Sequence, residues 1–213
     1  MLSLVKSPRL VAPPMRSALR IHRELCERDA VLFKQGEPNG KVYQVVRGAV
    51  LTYRILLDGR RQLEALHFAG DALGLEGGLE HRVSAQALST TIVRSVSRSE
   101  LELLAMARPR IARRFLDATM DGLRRSQHHA MNLTRRSARE RMASLLLELD
   151  ERTAGAALLD LPMTRQDIAD YLSLTVETVS RVLTHFQQRG LINLPTARQI
   201  LLRDPAPLRA MLE

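Results

Sequence analysis

Tryptophan is absent from the 213 residues, aromatics make up only 3%, cysteine occurs once, and all but three of the 32 basic residues are arginine. So few aromatics argue against a single-stranded nucleic-acid binder, which stacks bases on aromatic platforms. Cys26 alone closes no intrachain disulfide and fills no four-thiolate zinc or iron–sulfur site, which fits a reducing, cytoplasmic setting. No apolar run approaches the roughly 18 to 20 residues that cross a bilayer. Residues 1–20 lack the apolar core of a secretion signal and read as a loose arm. Also missing are the phosphate-binding G-x-x-x-x-G-K-[ST] loop, a G-x-S-x-G elbow and an H-E-x-x-H metal helix, so nothing points to an enzyme.

What is present is ordinary globular composition, 45% hydrophobic and 26% charged, with an excess of positive charge of +9. The length suits two small domains. Ten arginines fall between residues 108 and 141, against Asp117, Asp121 and Glu140. Such a balance favours phosphate partners, although charge alone does not separate DNA, RNA and anionic membrane.

From about Ala30 to Ser97 short apolar runs alternate with Gly- or Pro-containing turns every 8 to 12 residues, the cadence of an antiparallel barrel or sandwich. Asp58-Gly59 is the strongest hairpin signal. The stretch AQALSTTIVRSV reads as one such run, and Gly74, Gly77 and Gly78 as turn glycines. After Ser99 Leu, Ala, Met, Arg and Glu dominate and helices take over. Pro109 suits a first helical turn. Beyond it Leu116, Met120, Leu123, Gln127 and Ala130 follow a 4,3,4,3 spacing, one coiled-coil-like stripe that Gln127 weakens. A further helix over about 137–153 carries Met142, Leu145, Leu146 and Leu149 on one face and leads into a small-residue linker, TAGAALLD.

The chemistry sits after the linker. Thr164 followed by Asp167 forms a capping box for a short helix with Ile168, Ala169 and Leu172 on its buried face. Ser173-Leu174 turn the chain, and Thr175 caps a second helix, 176–188, with Val179, Val182, Leu183 and Phe186 at helical spacing. Gly190 stops it. Two helices joined so tightly are a helix-turn-helix, and the hairpin signal of residues 191–202 adds a wing with Arg198 near its tip. The second helix leaves Glu177, Thr178, Ser180 and Arg181 open at its N-terminal end, where a recognition helix meets base edges. Glu accepts from cytosine N4, Arg donates twice to guanine, and Ser bonds a base edge or packs on a thymine methyl. The competing reading is an i,i+4 ion pair between Glu177 and Arg181 on a solvated face.

The run LPMTRQDIADYLSLTVETVSRVL, with TARQILLRD after it, closely resembles the DNA-binding domain of the CRP/FNR superfamily, nearest its FixK-like branch. GEPNGKVYQVVRGAVLTYRILLDGRRQ, GDALGLEGG and HRVSAQAL resemble the family's cyclic-nucleotide-binding-type barrel. The resemblance implies an α+β chain: a jelly-roll sensor barrel over 21–107, a dimerisation helix over 108–136 and a winged helix-turn-helix over 137–213. It further implies a homodimer paired through Leu116, Met120, Leu123 and Ala130, reading a TTG-N8-CAA-like palindrome and working with RNA polymerase as an activator. Glu177, Ser180 and Arg181 would read bases; Thr164, Arg165, Gln166, Thr175, Thr178 and Arg198 would grip phosphate. Val176 and Ser180, at positions where cyclic AMP-dependent members carry Arg and Gly, favour FNR- and FixK-type readout.

In the family an acid and an adjacent Arg-Ser pair hold a cyclic nucleotide. Here Asp71 replaces a longer Glu, and Val83 separates Arg82 from Ser84, so the effector pocket reads as degenerate. The iron–sulfur route fails on the single cysteine. Haem stays open, because one axial histidine suffices and His22, His67, His81, His128, His129 and His185 are available; His22 and Cys26, four residues apart, offer one edge of a metal site. The alternative function is therefore a regulator gated by an effector such as a cyclic nucleotide or haem-bound NO.

Overall fold

The computed structural model describes the chain except for residues 1–18, 136, 153–157 and 197. Nearly all of the expected loose arm thus lies outside the described residues. The first half is built of strands β1 (His22–Cys26), β2 (Val31–Phe33), β3 (Lys41–Arg47), β4 (Ala49–Ile55), β5 (Arg61–Phe68), β6 (Ala72–Leu73), β7 (Ser84–Ala87) and β8 (Thr91–Ser97). They form two four-stranded antiparallel sheets, ordered β1-β8-β3-β6 and β2-β7-β4-β5. Phe33, Tyr43, Val45, Val50, Leu73 and Val93 fill the core between them, together with Cys26. Burial pushes the Cys26 thiol up, with the Glu24 carboxylate adding to the effect, so it stays a protonated, packed side chain. The Asp58-Gly59 turn is where the dipeptide places it: Gly59 adopts φ +80°, and Ile55 of β4 faces Arg61 of β5. Gly48, at φ +91°, makes the β3–β4 turn, where an added Cβ would stand 2.5 Å from Thr91 Oγ1.

Three helices follow: α1 (Arg98–Ala107), α2 (Pro109–Arg135) and α3 (Ala138–Arg152). Pro109 opens α2, whose 27 residues span about 40 Å. Then come β9 (Leu158–Asp160), α4 (Arg165–Leu172), α5 (Val176–Gln188), β10 (Ile192–Thr196), β11 (Gln199–Leu202) and α6 (Ala206–Ala210). The wing is a three-stranded sheet in the order β10-β11-β9.

The two halves share a core. Both faces of β4 are buried: Val50 joins the barrel interior, whereas Ala49 and Leu51, with Leu63 and Leu66 of β5, belong to the cluster that contains Met142, Leu146, Ile168, Leu172 and Phe186. A strand alternates its side chains, so β4 can serve two cores at once.

Three sequence expectations need correction. The run AQALSTTIVRSV breaks at residues 88–90 into β7 and β8, which lie in different sheets. The end of TAGAALLD is strand β9; a three-residue strand has too little alternation to be read locally. His22 and Cys26 sit on β1, which at about 3.3 Å per residue holds them roughly 13 Å apart, with His22 exposed and Cys26 buried. They form no edge of a metal site, and among the described residues no group of three or more His, Cys, Asp or Glu is placed to hold an ion.

Candidate nucleic-acid interface

Local sequence builds the α4–α5 unit. Thr164 Oγ1 accepts from the Asp167 amide at 3.1 Å, and Asp167 Oδ2 accepts from the Thr164 amide at 2.9 Å, closing the capping box. Ser173 ends α4 in the left-handed region at φ 51°, turning the chain within three residues. Arg141 of α3 donates to the carbonyls of Leu172 at 2.9 Å and Ser173 at 3.4 Å, placing a cation where α4 leaves its carbonyls unpaired. Thr175 Oγ1 then accepts from the Thr178 amide at 3.2 Å to start α5. Val179, Val182, Leu183 and Phe186 anchor α5, and Gly190 at φ +70° closes it.

With that face buried, the opposite one presents Glu177, Ser180 and Arg181 to solvent on consecutive turns. Glu177 and Arg181 do not form the ion pair that their spacing allows. Arg181 Nε instead lies 3.4 Å from the Glu177 carbonyl oxygen. The Glu177 amide, and then the Thr175 hydroxyl, hold the Glu177 carboxyl below the usual range. It therefore stays ionised as an acceptor.

The six residues expected at phosphate are less uniform. Thr164 and Thr175 are exposed, but their hydroxyls are spent on caps, and Thr178 is half-buried with its hydroxyl 3.1 Å from that of Thr175. Gln166 Nε2 donates to Asp170 at 2.7 Å. Arg165 is half-buried, its Nη1 has no hydrogen-bond partner, and burial pulls its pKa down. Arg198 is exposed on the wing; its amide donates to Thr196 Oγ1 at 3.2 Å. On α2, Leu116, Met120 and Leu123 are 53%, 49% and 49% exposed, and Ala130 is exposed as well, so the stripe is open to water along the single chain.

Comparison with known proteins now decides the family. A Crp-like helix-turn-helix domain matches residues 140–211, and a cyclic nucleotide-binding domain matches residues 23–108. The nitrogen fixation regulation protein FixK of Rhizobium meliloti is 42% identical over 185 residues, covering 84% of this chain and 82% of that protein. The chain belongs to the CRP/FNR family, in its FixK-like branch. The transcriptional activator protein Anr of Pseudomonas aeruginosa is 38% identical over 168 residues, 76% of this chain and 69% of that one. The solved structure of FixK2 from Bradyrhizobium japonicum superposes with a TM-score of 0.85 at 43% identity, covering 90% of this chain and 96% of that one. As a CRP/FNR regulator the protein binds DNA through its helix-turn-helix and controls transcription; it is not an enzyme.

The barrel's family name raises the question of a cyclic nucleotide, and the residues at the expected places are otherwise engaged. Asp71 Oδ2 accepts from the Phe68 amide at 2.8 Å and pairs with Arg152, while Oδ1 lies 3.6 Å from Arg125. Arg82 is exposed and precedes β7 instead of lying on it. Ser84 Oγ accepts from the Gln35 amide at 3.0 Å, and it lines an open cleft of about 520 Å³ with Tyr53 and Lys34, to which neither Asp71 nor Arg82 contributes. These three side chains do not fit a cyclic nucleotide. Three histidines are packed inside the molecule, His81 buried and His67 and His129 half-buried, with His67 Nδ1 and His129 Nε2 lacking a hydrogen-bond partner. His67 lies 3.2 Å from Thr52 Oγ1, His81 2.7 Å from Glu76 and stacked on Phe33, and His129 stacked on Tyr171 at 4.0 Å. His22 and His128 are exposed and His185 half-buried.

Sequence reasoning missed the contacts that hold the DNA-binding unit against the barrel. Arg28 donates to the Pro162 carbonyl at 3.1 Å, and Arg61 lies 3.4 Å from Asp167, 4.2 Å over the Tyr53 ring and 3.2 Å from Gln86 Oε1. The partners are 106 or more residues apart in the two interdomain pairs, so no local pattern could reveal them.

Proposed function

We propose that the protein is a homodimeric activator that reads a TTG-N8-CAA-like palindrome without an effector. The observation that carries the reading is the outward face of α5, where Glu177, Ser180 and Arg181 stand exposed around an ionised carboxylate that is not neutralised by an ion pair. Phosphate repels a carboxylate, so Glu177 suits this face as a base acceptor or as a guide for Arg181. Arg181 donates to guanine and Ser180 meets a base edge; Arg165 and Arg198 grip phosphate, and Thr164, Gln166, Thr175 and Thr178 line the same approach. Leu116, Met120, Leu123 and Ala130 pair two copies along α2, setting two recognition helices on successive major grooves. The barrel (21–107) serves as the platform, 108–136 as the pairing helix and 137–213 as the reader. RNA polymerase is the partner through which such a dimer activates.

Neither a cyclic nucleotide nor an iron–sulfur cluster takes part in this reading, and haem is not required. The test is a fluorescence-anisotropy titration of effector-free protein on a TTG-N8-CAA duplex and on a scrambled duplex at one fixed salt concentration. The reading expects a preference of at least about 10³ for the palindrome. Equal affinity without additives, restored to preference by a cyclic nucleotide or by haem and NO, would favour the effector-gated regulator instead.

A further inference from the structure

Asp71 lies at a corner where three parts of the molecule meet. Its backbone is pinned to the barrel: the Asp71 carbonyl accepts from the Val45 amide at 2.9 Å, and the Gly70 amide donates to the Val45 carbonyl at 2.9 Å. Its side chain is only 12% exposed, and its two oxygens serve different helices. Oδ1 faces Arg125 of α2, and Oδ2 pairs with Arg152 of α3. The Arg152 guanidinium is itself caged, 4.7 Å over the Phe68 ring and 3.8 Å from Glu148. Residues 136–137 connect α2 to α3; among the described residues Asn132 of α2 donates to Ser144 of α3 at 2.8 Å, and His129 of α2 stacks on Tyr171 of α4.

We propose that Asp71 is a positioning residue for operator binding, a carboxylate that joins the barrel to both the pairing helix and the DNA-binding unit and, beside the shared core and the Arg28 and Arg61 contacts, sets the angle at which α5 is presented. An exposed ion pair could not do this, because water screens it and side-chain entropy opposes it. At this burial, with one oxygen facing each arginine, removing the charge leaves Arg152 with Glu148 as its remaining carboxylate and Arg125 without its Asp71 partner. The acid that the resemblance assigns to a ligand is engaged instead between the barrel and two helices. The inference rests on the palindrome reading above, since a fixed angle matters only when two recognition helices engage one duplex.

The experiment measures affinity of the full-length protein for palindromes with seven, eight and nine base pairs between half-sites, with sedimentation and thermal unfolding as controls. Wild-type protein prefers one spacing. Asp71→Asn, isosteric but uncharged, is expected to remain dimeric, to lose about 5- to 50-fold at the preferred spacing and to discriminate less among the three. Arg125→Gln, which changes the more exposed partner, is expected to flatten the same preference and guards against a folding defect in the first variant. Retained spacing preference in both folded variants would overturn the inference alone, as would a loss that is equal at all three spacings. A wild-type protein indifferent to spacing would overturn the palindrome reading, and this inference with it.

Discussion

The guanidinium of Arg61 lies 3.4 Å from the carboxylate of Asp167, the residue that also closes the capping box of the first helix of the DNA-binding unit. A β5 side chain thereby touches the cap that starts the helix-turn-helix. Arg61→Ala removes this pair, the stacking on Tyr53 and the bond to Gln86, and should lower stability by roughly 1–2 kcal/mol. In a double-mutant cycle with Asp167→Asn the two residues should couple by at least about 0.5 kcal/mol. Strict additivity in urea unfolding would show that the barrel and the cap are energetically independent.

The apolar stripe on α2 gives a second test. Leu123 is 49% exposed in the single chain, and burying a leucine contributes about 1.5 to 3 kcal/mol. Leu123→Arg should therefore yield monomers in sedimentation at low micromolar concentration. A dimer that survives this change places the pairing surface elsewhere.

Acid sensitivity follows from two half-buried imidazoles. Burial, with help from neighbouring His128, pulls His129 from its ordinary value to about 4. The unfolded chain then binds a proton that the folded chain refuses, so stability is complete above about pH 6.5 and falls as the pH drops toward 4. His67, also lowered to about 4 chiefly by burial, acts in the same direction, whereas Glu148, raised by burial, opposes it. His129→Phe keeps the stack on Tyr171 and removes one titrating group. Its thermal midpoint should fall less than that of the wild type between pH 6.5 and 4. Parallel curves for the two proteins would show that His129 does not contribute.

Much of the reader was legible because its signals are local. The Thr164–Asp167 box, the Thr175 cap, the apolar spacing of Val179, Val182, Leu183 and Phe186, and Gly190 all act within a few residues, and α5 spans the expected 176–188. The barrel was legible as a cadence of turns, but β1 was missed because HRELC leaves four of five residues exposed at a sheet edge. The break between β7 and β8 depends on which sheet each joins, and β9 exists only because β11 pairs with it. Asp71 was read for a ligand because its partners, Arg125 and Arg152, come from distant helices; Asp71 and Arg152 are 81 residues apart in sequence.

Ligand independence is tested simply. Asp71 is committed to two arginines and Ser84 to Gln35, so the proposed reading gives cyclic AMP no differential affinity, and a ligand shifts an equilibrium only by that difference. Operator affinity should be unchanged by its addition. A tenfold gain would show a working pocket.

The central claim is that α5 reads bases, and Arg181 tests it most directly. The measurement is the affinity of wild type and Arg181→Ala for the palindrome and for a duplex in which the half-site guanines are replaced, at several salt concentrations. If Arg181 donates to guanine, the variant should lose about 1 to 3 kcal/mol per half-site on the palindrome and almost nothing on the substituted duplex. Arg198→Ala, a phosphate contact, should weaken both duplexes alike and reduce the salt slope by about one counterion. An Arg181→Ala protein that weakens equally on both duplexes, with its preference for the palindrome intact, would contradict base reading by this helix face.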